Sequence, residues 1–361
     1  MLKRIIKLLK VQPSLKASDI ARDLGVSRKS INQVLHKNPD IFLQDETFHW
    51  SLQESASFEL ELISERRWVT QEHFERALDN KGSPLDSNCS EVLIKITDDQ
   101  PVLLCAAARI LSLSNQLVMA GKRVVLDFTN NNSTVSYLSR ACFFARLDEA
   151  VEVLPTRPPN SDSELYKANN LSLVELLEIC PEDNVPSRIK QSFVDKFGPE
   201  HSTKLFTLVA EMVSNVEDHS ETKIPGFAGL QVYSKKKGRS VIVVISDGGI
   251  GICASLRPVL DTHFPDIAVR FPTAEPDTDP QLIIHAMEHR GLSRLGKGRG
   301  AGLHTSHGEA ATLDAKVTIR QENFVVYMKY KNGSLHDKSW VTKLPKIMGT
   351  HIVFEFFLTA E

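Results

Sequence analysis

The stretch VIVVISDGGIGI, residues 241–252, decides the fold of the C-terminal part of the chain. Its first five residues are β-branched and predict a buried strand, which ends at Asp247 and a group of closely spaced glycines. A carboxylate at the end of a strand can accept a hydrogen bond from a ligand amino group, and glycines let the backbone approach a flat ring. The alternative is a tight turn after a buried strand, with no ligand.

Upstream, LFTLVAEMVSNVEDHS, residues 205–220, predicts an amphipathic helix. Glu211, Asn215 and His219 are spaced i, i+4 and i+8, which aligns them along one helix face. An amide oxygen can ligate magnesium, and a carboxylate one turn away can orient or deprotonate a water molecule. The alternative is a solvated polar stripe.

Downstream, LGKGRGAGLHTSHGEA, residues 295–310, alternates glycine with other residues before a predicted helix. Exposed backbone N–H groups and the positive end of the helix would form a cradle for phosphates, to which Lys297 and Arg299 add charge. The segment matches neither GxxxxGK[ST] nor the strand-then-acid pattern of a dinucleotide fold. The alternative is a flexible lid without a ligand.

The order of these three segments, followed by Gly349-Thr350 before the strand HIVFEFFL, resembles the four sequence boxes of the GHKL superfamily of ATP-binding domains. The superfamily is named after gyrase, Hsp90, histidine kinases and MutL. The resemblance covers roughly residues 190–358, with a long lid at residues 253–297, and the predicted strands DAKVTIRQ and FVVYMKY fall where this fold places its central sheet. It implies a C-terminal α/β sandwich of the Bergerat type that binds ATP and Mg²⁺.

The resemblance also assigns a role to each matching position. Asn215 would coordinate Mg²⁺, and Glu211 would be the general base in members that hydrolyse ATP. Asp247 would accept a hydrogen bond from the adenine amino group, with support from Thr350. The other ATP-binding residues that it implies are His219, Gly249, Gly251, Ile252, Gly298, Arg299, Gly300, Ala301, Gly302 and Leu303.

Residues 1–52 predict three short helices followed by a hairpin around Asp45-Glu46. The segment DIARDLGVSRKSINQVLHKN resembles a helix-turn-helix, and with the hairpin it resembles a winged helix. Its nine Lys or Arg against five Asp or Glu in residues 1–50 give a net charge of +4, which favours DNA binding. A protein-contact or dimerisation role is the alternative. Residue types that contact phosphates and base edges would lie on the exposed side of the third helix: Ser27, Arg28, Lys29, Asn32 and Gln33.

The rest of the chain completes a predicted multidomain α+β protein. Residues 53–87 predict a charged helical connector, residues 88–184 a layered α/β domain in which strands and helices alternate, and residues 185–361 the ATP-binding domain. The strand KRVVLDFT and the helix STVSYLSRACFF weakly resemble the STAS domains of anti-sigma antagonists. In that family a serine near this helix start can accept a phosphate, which makes Ser133 or Ser136 candidates; an N-cap at Ser133 is the alternative.

Composition limits the class of protein. The chain has 361 residues, 42% hydrophobic and 24% charged, with a net charge of −2, as in ordinary globular proteins. No run of about 18 apolar residues predicts a spanning helix, so we expect no membrane partner. Five scattered cysteines without a CxxC pair indicate the reducing cytoplasm and argue against a disulfide framework or zinc knuckle.

Three functions are compatible with these patterns. The first is an ATP-dependent regulator, an ATPase that we expect to form a homodimer, in which nucleotide switches the grip of the winged helix on DNA or a protein partner. The second is an anti-sigma-type serine kinase acting on a STAS partner or on its own middle domain. The third, a histidine kinase, is disfavoured because no HExxxP phosphoacceptor hairpin precedes the ATP-binding domain. Glu211 does not separate ATPases from kinases, since both carry an acid there.

Overall fold

The computed structural model describes residues 1–39, 41–53, 57–65, 68–160, 173–180, 183–199, 202–219, 221–235, 238–273, 275, 277–293 and 302–359. Over these ranges the chain is a mixed α+β protein with three β-sheets. None of the helices in the described ranges is long and apolar enough to cross a bilayer.

The N-terminal unit packs three helices on a small antiparallel sheet. Its elements are α1 (Leu2–Val11), β1 (Leu15–Lys16), α2 (Ala17–Leu24), α3 (Arg28–Lys37), β2 (Phe42–Gln44) and β3 (His49–Leu52). The strands are ordered β1-β3-β2. A separate apolar core holds the unit together, with Ile5, Ile20, Ile31 and Trp50 among its buried residues. The predicted three helices and hairpin are confirmed.

The middle unit is a parallel sheet with helical crossovers. Its elements are β4 (Ser57–Leu62), α4 (Gln71–Lys81), β5 (Glu91–Ile96), α5 (Leu104–Met119), β6 (Arg123–Asp127), α6 (Asn132–Arg140), α7 (Phe143–Arg146) and β7 (Glu152–Leu154). The four strands are ordered β4-β5-β6-β7, and each pair is parallel. The alternation of strand and helix therefore produced the layered unit that the sequence predicts.

The C-terminal unit is built on a seven-stranded antiparallel sheet. Its elements are β8 (Leu173–Ile179), α8 (Val185–Phe197), α9 (Ser202–His219), β9 (Gly226–Lys235), β10 (Gly238–Ser246), α10 (Ile252–His263), α11 (Pro265–Arg270), α12 (Thr278–Glu288), α13 (Gly302–Thr312), β11 (Lys316–Gln321), β12 (Phe324–Lys331), β13 (Ser334–Val341) and β14 (His351–Thr359). The strand order is β13-β12-β11-β14-β10-β9-β8. The strands predicted from DAKVTIRQ, FVVYMKY and HIVFEFFL are confirmed as β11, β12 and β14.

Two segments differ from the predicted organisation. Residues 57–62, expected in a helical connector, form β4 and pair with β5. Their apolar residues Phe58, Leu60 and Leu62 alternate with glutamates, and this alternation is the period of a strand. The segment was predicted as a helical connector because it is rich in charged residues. Residues 173–179, expected in the middle domain, form β8 and pair with β9 at the edge of the seven-stranded sheet.

The interpretation of Ser133 as an N-cap is wrong. Helix α6 begins at Asn132, and Asn131 occupies the N-cap position. Ser133 therefore lies inside the first turn, and both Ser133 and Ser136 are exposed.

Both faces of the seven-stranded sheet are buried at its central strand β10. On β10, Val241, Val243 and Ile245 point into a core with helices α8, α9, α10, α12 and α13. The alternate residues Ile242 and Val244 point to the opposite face and pack with the middle unit. A strand buried on both sides has no polar alternation, which is why residues 241–245 are uniformly apolar.

Helix α5 is the layer between the two larger sheets. Its residues from Leu104 to Leu117 are all buried. Its apolar side chains share one core with β5 and β6 on one side and with β10 and β14 on the other. Because these residues are shielded from water, their polar side chains need hydrogen-bond partners within the protein.

A buried charged triad also joins the two units. The Glu75 carboxylate of α4 pairs with Arg109 of α5 and, at 3.0 Å, with Arg320 of β11. The Arg109 and Arg320 side chains are at most 2% exposed. Arg320 also donates to the carbonyl oxygen of Pro345 at 2.5 Å, and burial lowers its pKa. One carboxylate thus serves two buried guanidinium groups.

Removing the Glu75 charge should therefore destabilise the middle and C-terminal units together. We expect Glu75→Gln to lower the free energy of unfolding by about 3–5 kcal/mol, since two buried cations lose their counterion. Glu152→Gln is the matched control, because Glu152 pairs with Arg123, whose side chain is 62% exposed; it should cost less than about 1 kcal/mol. Denaturant titration measures both, and equal effects would contradict this role of the triad.

Candidate functional site

A cavity of about 730 Å³, including open space at its mouth, lies between the seven-stranded sheet and helices α9, α10 and α13. Most of its wall is apolar, and a few polar groups converge on it. It is lined by Met212, Asn215, Val216, Ile245, Asp247, Gly251, Ile252, Ser255, Leu256, Leu292, Ser293, Gly302, Leu303, Thr350 and Ile352.

Asp247 follows β10 directly and is 5% exposed. Its Oδ1 accepts the Gly249 N–H at 2.7 Å, and its own N–H donates to the carbonyl oxygen of Thr350 at 2.9 Å. The Thr350 hydroxyl accepts from Nε2 of Gln321 at 2.9 Å, so its proton is available to the Asp247 carboxylate. These contacts fix the carboxylate at the end of the strand.

Burial raises the pKa of the Asp247 carboxyl to about 6, and the hydrogen bonds from Gly249 and Thr350 oppose that rise. At neutral pH the group is mostly a buried carboxylate. Its partners are neutral donors, so its remaining lone pairs can accept from a ligand.

Gly349 lets the segment Gly349-Thr350 approach the end of strand β10. Its φ of 88° is left-handed, and a Cβ atom there would collide with the carbonyl oxygen of Asp247. The contact between the two backbones requires a glycine. It brings Thr350 against Asp247, although the two residues lie far apart in sequence.

On the other wall, the start of α13 contacts α9. A Cβ atom at Gly302 would lie 2.7 Å from Oε2 of Glu211 and 3.7 Å from Nδ2 of Asn215. Glycine at the first position of α13 therefore allows the positive end of the helix to lie against a carboxylate and an amide. The Nδ2 atom of Asn215 is buried and has no hydrogen-bond partner among the described residues.

This wall fits a magnesium ion that arrives with a phosphate ligand. Over the described ranges, His, Cys, Asp and Glu side chains form no group of three that could hold a metal by themselves. Magnesium, however, typically takes one or two protein oxygens and completes its shell with phosphates and waters. The Asn215 side chain reaches this wall of the cavity, and its amide oxygen Oδ1 is a donor of the kind that such an ion takes.

Most of the predicted ATP-site residues that the structure describes line this one cavity. They are Asn215, Asp247, Gly251, Ile252, Gly302, Leu303 and Thr350. Gly249 and Glu211 do not line it, but each contacts a residue that does, Asp247 and Gly302 respectively. His219 is the last residue of α9, and its side chain lies outside the described part; Gly298, Arg299, Gly300 and Ala301 lie outside it entirely.

Sequence reasoning missed the apolar wall of the cavity. Met212 and Val216 flank Asn215 on α9, and Ile245 and Ile352 lie on the adjacent strands β10 and β14. The helix and strand periods identify these residues as buried, but they do not separate a pocket wall from ordinary core. The other missed lining residues are Ser255, Leu256, Leu292 and Ser293.

Within the predicted lid, residues 253–297, the described residues 253–273, 275 and 277–293 are largely helical. Arg257 of α10 ties it together, because its Nε donates to Oδ1 of Asp279 at 2.8 Å and Nη2 donates to the Thr278 hydroxyl at 3.0 Å. The same side chain donates to the carbonyl oxygen of Phe271. The acidic segment of the lid thus anchors the start of α12.

The predicted DNA-contact residues lie on the outer side of α3. Ile31 and Leu35 are buried on its inner side. The Ser27 hydroxyl caps the helix by accepting the Ser30 N–H at 3.1 Å, so it has a structural role at the same time. Ser27, Arg28, Lys29 and Gln33 are exposed, and Asn32 is half-buried.

The Asp247 charge should cost folding stability at neutral pH. The pKa of Asp247 is about 6 in the folded chain, and its ordinary value is 3.8. The carboxyl therefore stabilises the fold most below pH 4, and this stabilisation is lost as the pH rises through 6. We expect Asp247→Asn to raise the free energy of unfolding at pH 7.5 by on the order of 1–3 kcal/mol, with the difference shrinking toward pH 4. Asp261→Asn, at an exposed position on α10, is the control and should show no such trend in denaturant titrations. A less stable Asp247→Asn variant at pH 7.5 would refute this assignment of the buried charge.

Comparison with known proteins finds no matching family model and no significantly similar curated protein. The chemistry of the cavity itself is the basis for its function. That chemistry combines a fixed buried carboxylate, an apolar wall, the Asn215 amide and the start of a helix around one space.

Proposed function

We propose that the C-terminal unit binds Mg-ATP and that the chain is a nucleotide-dependent regulator. The observation that carries this proposal is the single cavity that Asp247 and Thr350 line together with Asn215 and Gly302. Described residues from each of the three segments, and Thr350, line this space; these segments and Gly349-Thr350 resemble the GHKL boxes. The Bergerat-type fold is part of the same proposal, and the seven-stranded sheet with helices on the cavity side supports it.

Each part of the nucleotide has a counterpart in the cavity. The adenine amino group would donate to the Asp247 carboxylate, and apolar side chains such as Met212 and Ile352 would cover the ring. The start of α13 would face the phosphates, where positive helix ends bind anions. Asn215 would bind the magnesium ion, which neutralises phosphate charge when the nucleotide is bound.

Glu211 is the candidate for activating a nucleophile. It lies beside the start of α13, next to Asn215, so it can take a proton from a water molecule near the phosphates. ATP hydrolysis is the proposed reaction. Transfer to a serine is the competing one, and Ser133 and Ser136 of the middle unit are exposed enough to serve as acceptors.

The N-terminal unit is the proposed output. Its three helices and hairpin support a winged helix, and α3 presents basic and amide side chains to solvent. Such a surface fits phosphates and base edges. Homodimerisation would double this weakly charged surface and would let nucleotide control its spacing.

Replacing the magnesium ligand should separate binding from turnover. We expect Asn215→Ala to raise the Kd for ATP about tenfold or more when Mg²⁺ is present, because the ion loses its protein ligand. Glu211→Gln is the matched control on the same helix; it should bind Mg-ATP like the wild type and release phosphate more slowly. Calorimetry with and without EDTA gives the affinities.

Two results decide the assignment. Unchanged Mg-dependent affinity of the Asn215→Ala variant would show that this residue does not hold the ion. Incubation with γ-labelled ATP identifies the reaction: labelled free phosphate supports hydrolysis, and label on the protein supports the serine kinase.

Removing a cation from α3 should weaken DNA binding. We expect Lys29→Ala and Arg28→Ala each to weaken DNA binding severalfold and to reduce the slope of its salt dependence by about one. Lys7→Ala removes one charge from an exposed site on α1 and should change the affinity less than about twofold. Fluorescence anisotropy over a salt series measures all three. No DNA binding by the wild type at low salt would assign the unit to protein contacts.

A further inference from the structure

The loop that carries Gly349-Thr350 is held by a residue of the middle unit. Gln116 of α5 is 2% exposed and makes two hydrogen bonds to the backbone of Met348. Its Nε2 donates to the Met348 carbonyl oxygen at 3.0 Å, and its Oε1 accepts the Met348 N–H at 2.8 Å. The Gln116 amide therefore bonds both backbone polar groups of Met348, which fixes the position of the loop.

The neutral His351 ring also holds Met348. Nε2 of His351 lies 3.0 Å from the Met348 carbonyl oxygen, and Nδ1 lies 2.5 Å from the Ser246 hydroxyl. Since a carbonyl oxygen only accepts, Nε2 carries the proton and Nδ1 accepts from Ser246. Burial, together with the nearby Arg109 and Arg320, lowers the pKa of His351 to about 3, so the ring stays neutral at ordinary pH.

The held residue is next to the carboxylate of the pocket. Met348 precedes Gly349, whose backbone lies against the carbonyl oxygen of Asp247 without room for a Cβ atom. Thr350 follows and bonds Asp247 through both its carbonyl oxygen and its hydroxyl. A displacement of Met348 would therefore reach the carboxylate through two adjacent residues.

We propose that Gln116 is a positioning residue of the nucleotide pocket and that the middle unit sets adenine affinity through its hydrogen bonds to Met348. This inference rests on the proposed ATP site. It makes α5 part of that site, although α5 lies on the face of the sheet opposite the cavity. A change in the middle unit that shifts α5 would then change adenine affinity and leave the start of α13 in place.

Gln116→Met tests the proposal, because methionine keeps the length and burial of the side chain and loses both hydrogen bonds. Ser112→Ala is the matched control: the Ser112 hydroxyl accepts from Nε2 of Gln116 at 2.8 Å, and its loss leaves the two bonds to Met348 in place. Binding of Mg-ATP and of inorganic triphosphate with Mg²⁺ separates the adenine end from the phosphate end. Melting temperature monitors the fold.

We expect Gln116→Met to weaken Mg-ATP binding about tenfold and triphosphate binding less than about twofold. Ser112→Ala should leave both within about twofold. Gln116→Asn, whose shorter amide cannot reach both groups of Met348, should give the same split and replaces Gln116→Met if that variant does not fold.

An unchanged affinity for Mg-ATP in the Gln116 variant would overturn the proposal. So would an equal loss of ATP and triphosphate binding, which indicates a general structural effect. A wild-type chain that binds triphosphate and not ATP would overturn the proposed adenine site itself, and this result is distinct from both.

Discussion

The burial of helix α5 from Leu104 to Leu117 is the constraint on which the rest of the structure depends. The helix lies between a parallel four-stranded sheet and an antiparallel seven-stranded sheet, and both sheets bury apolar faces on it. The middle unit therefore shields one face of the C-terminal sheet from solvent. With that face covered, residues 241–245 of β10 and 351–354 of β14 are buried on both sides and hold the cavity-lining residues on a rigid base.

Burial also explains where the polar groups lie. Arg109, Gln116 and Arg320 are all within the shared core, and each is paired with a group from another element. Asp247 differs, because its partners are neutral and its pKa is raised. A charge kept in the core at a cost in stability is typical of a functional site. The triad of Glu75, Arg109 and Arg320 stabilises the junction between the middle and C-terminal units, whereas the Asp247 carboxylate is available to a ligand.

Much of this architecture could be predicted from the sequence. The uniform run at residues 241–245 and the segment 205–219 are strongly patterned, and they formed the strand and the helix that we expected. Spacing along α9 also placed Asn215 correctly on the cavity. The strand at residues 57–62 was missed because its glutamates suggested a solvated helix, although Phe58 and Leu60 have the period of a strand.

What the sequence could not predict are the contacts between distant segments. Nothing near Gln116 marks it as a partner of Met348, since the two are brought together by the packing of α5 on the sheet. The apolar wall around Met212 and Val216 has the same pattern as any core. Pairing of Glu75 with arginines from two other elements likewise depends on tertiary structure.

A crystal structure of the chain with Mg²⁺ and a nonhydrolysable ATP analogue tests the proposed nucleotide site most directly. We expect the adenine amino group within hydrogen-bond distance of the Asp247 carboxylate, the magnesium ion bound by Asn215 and the phosphates at the start of α13. A nucleotide bound elsewhere, or a cavity that stays empty at saturating analogue, would contradict it.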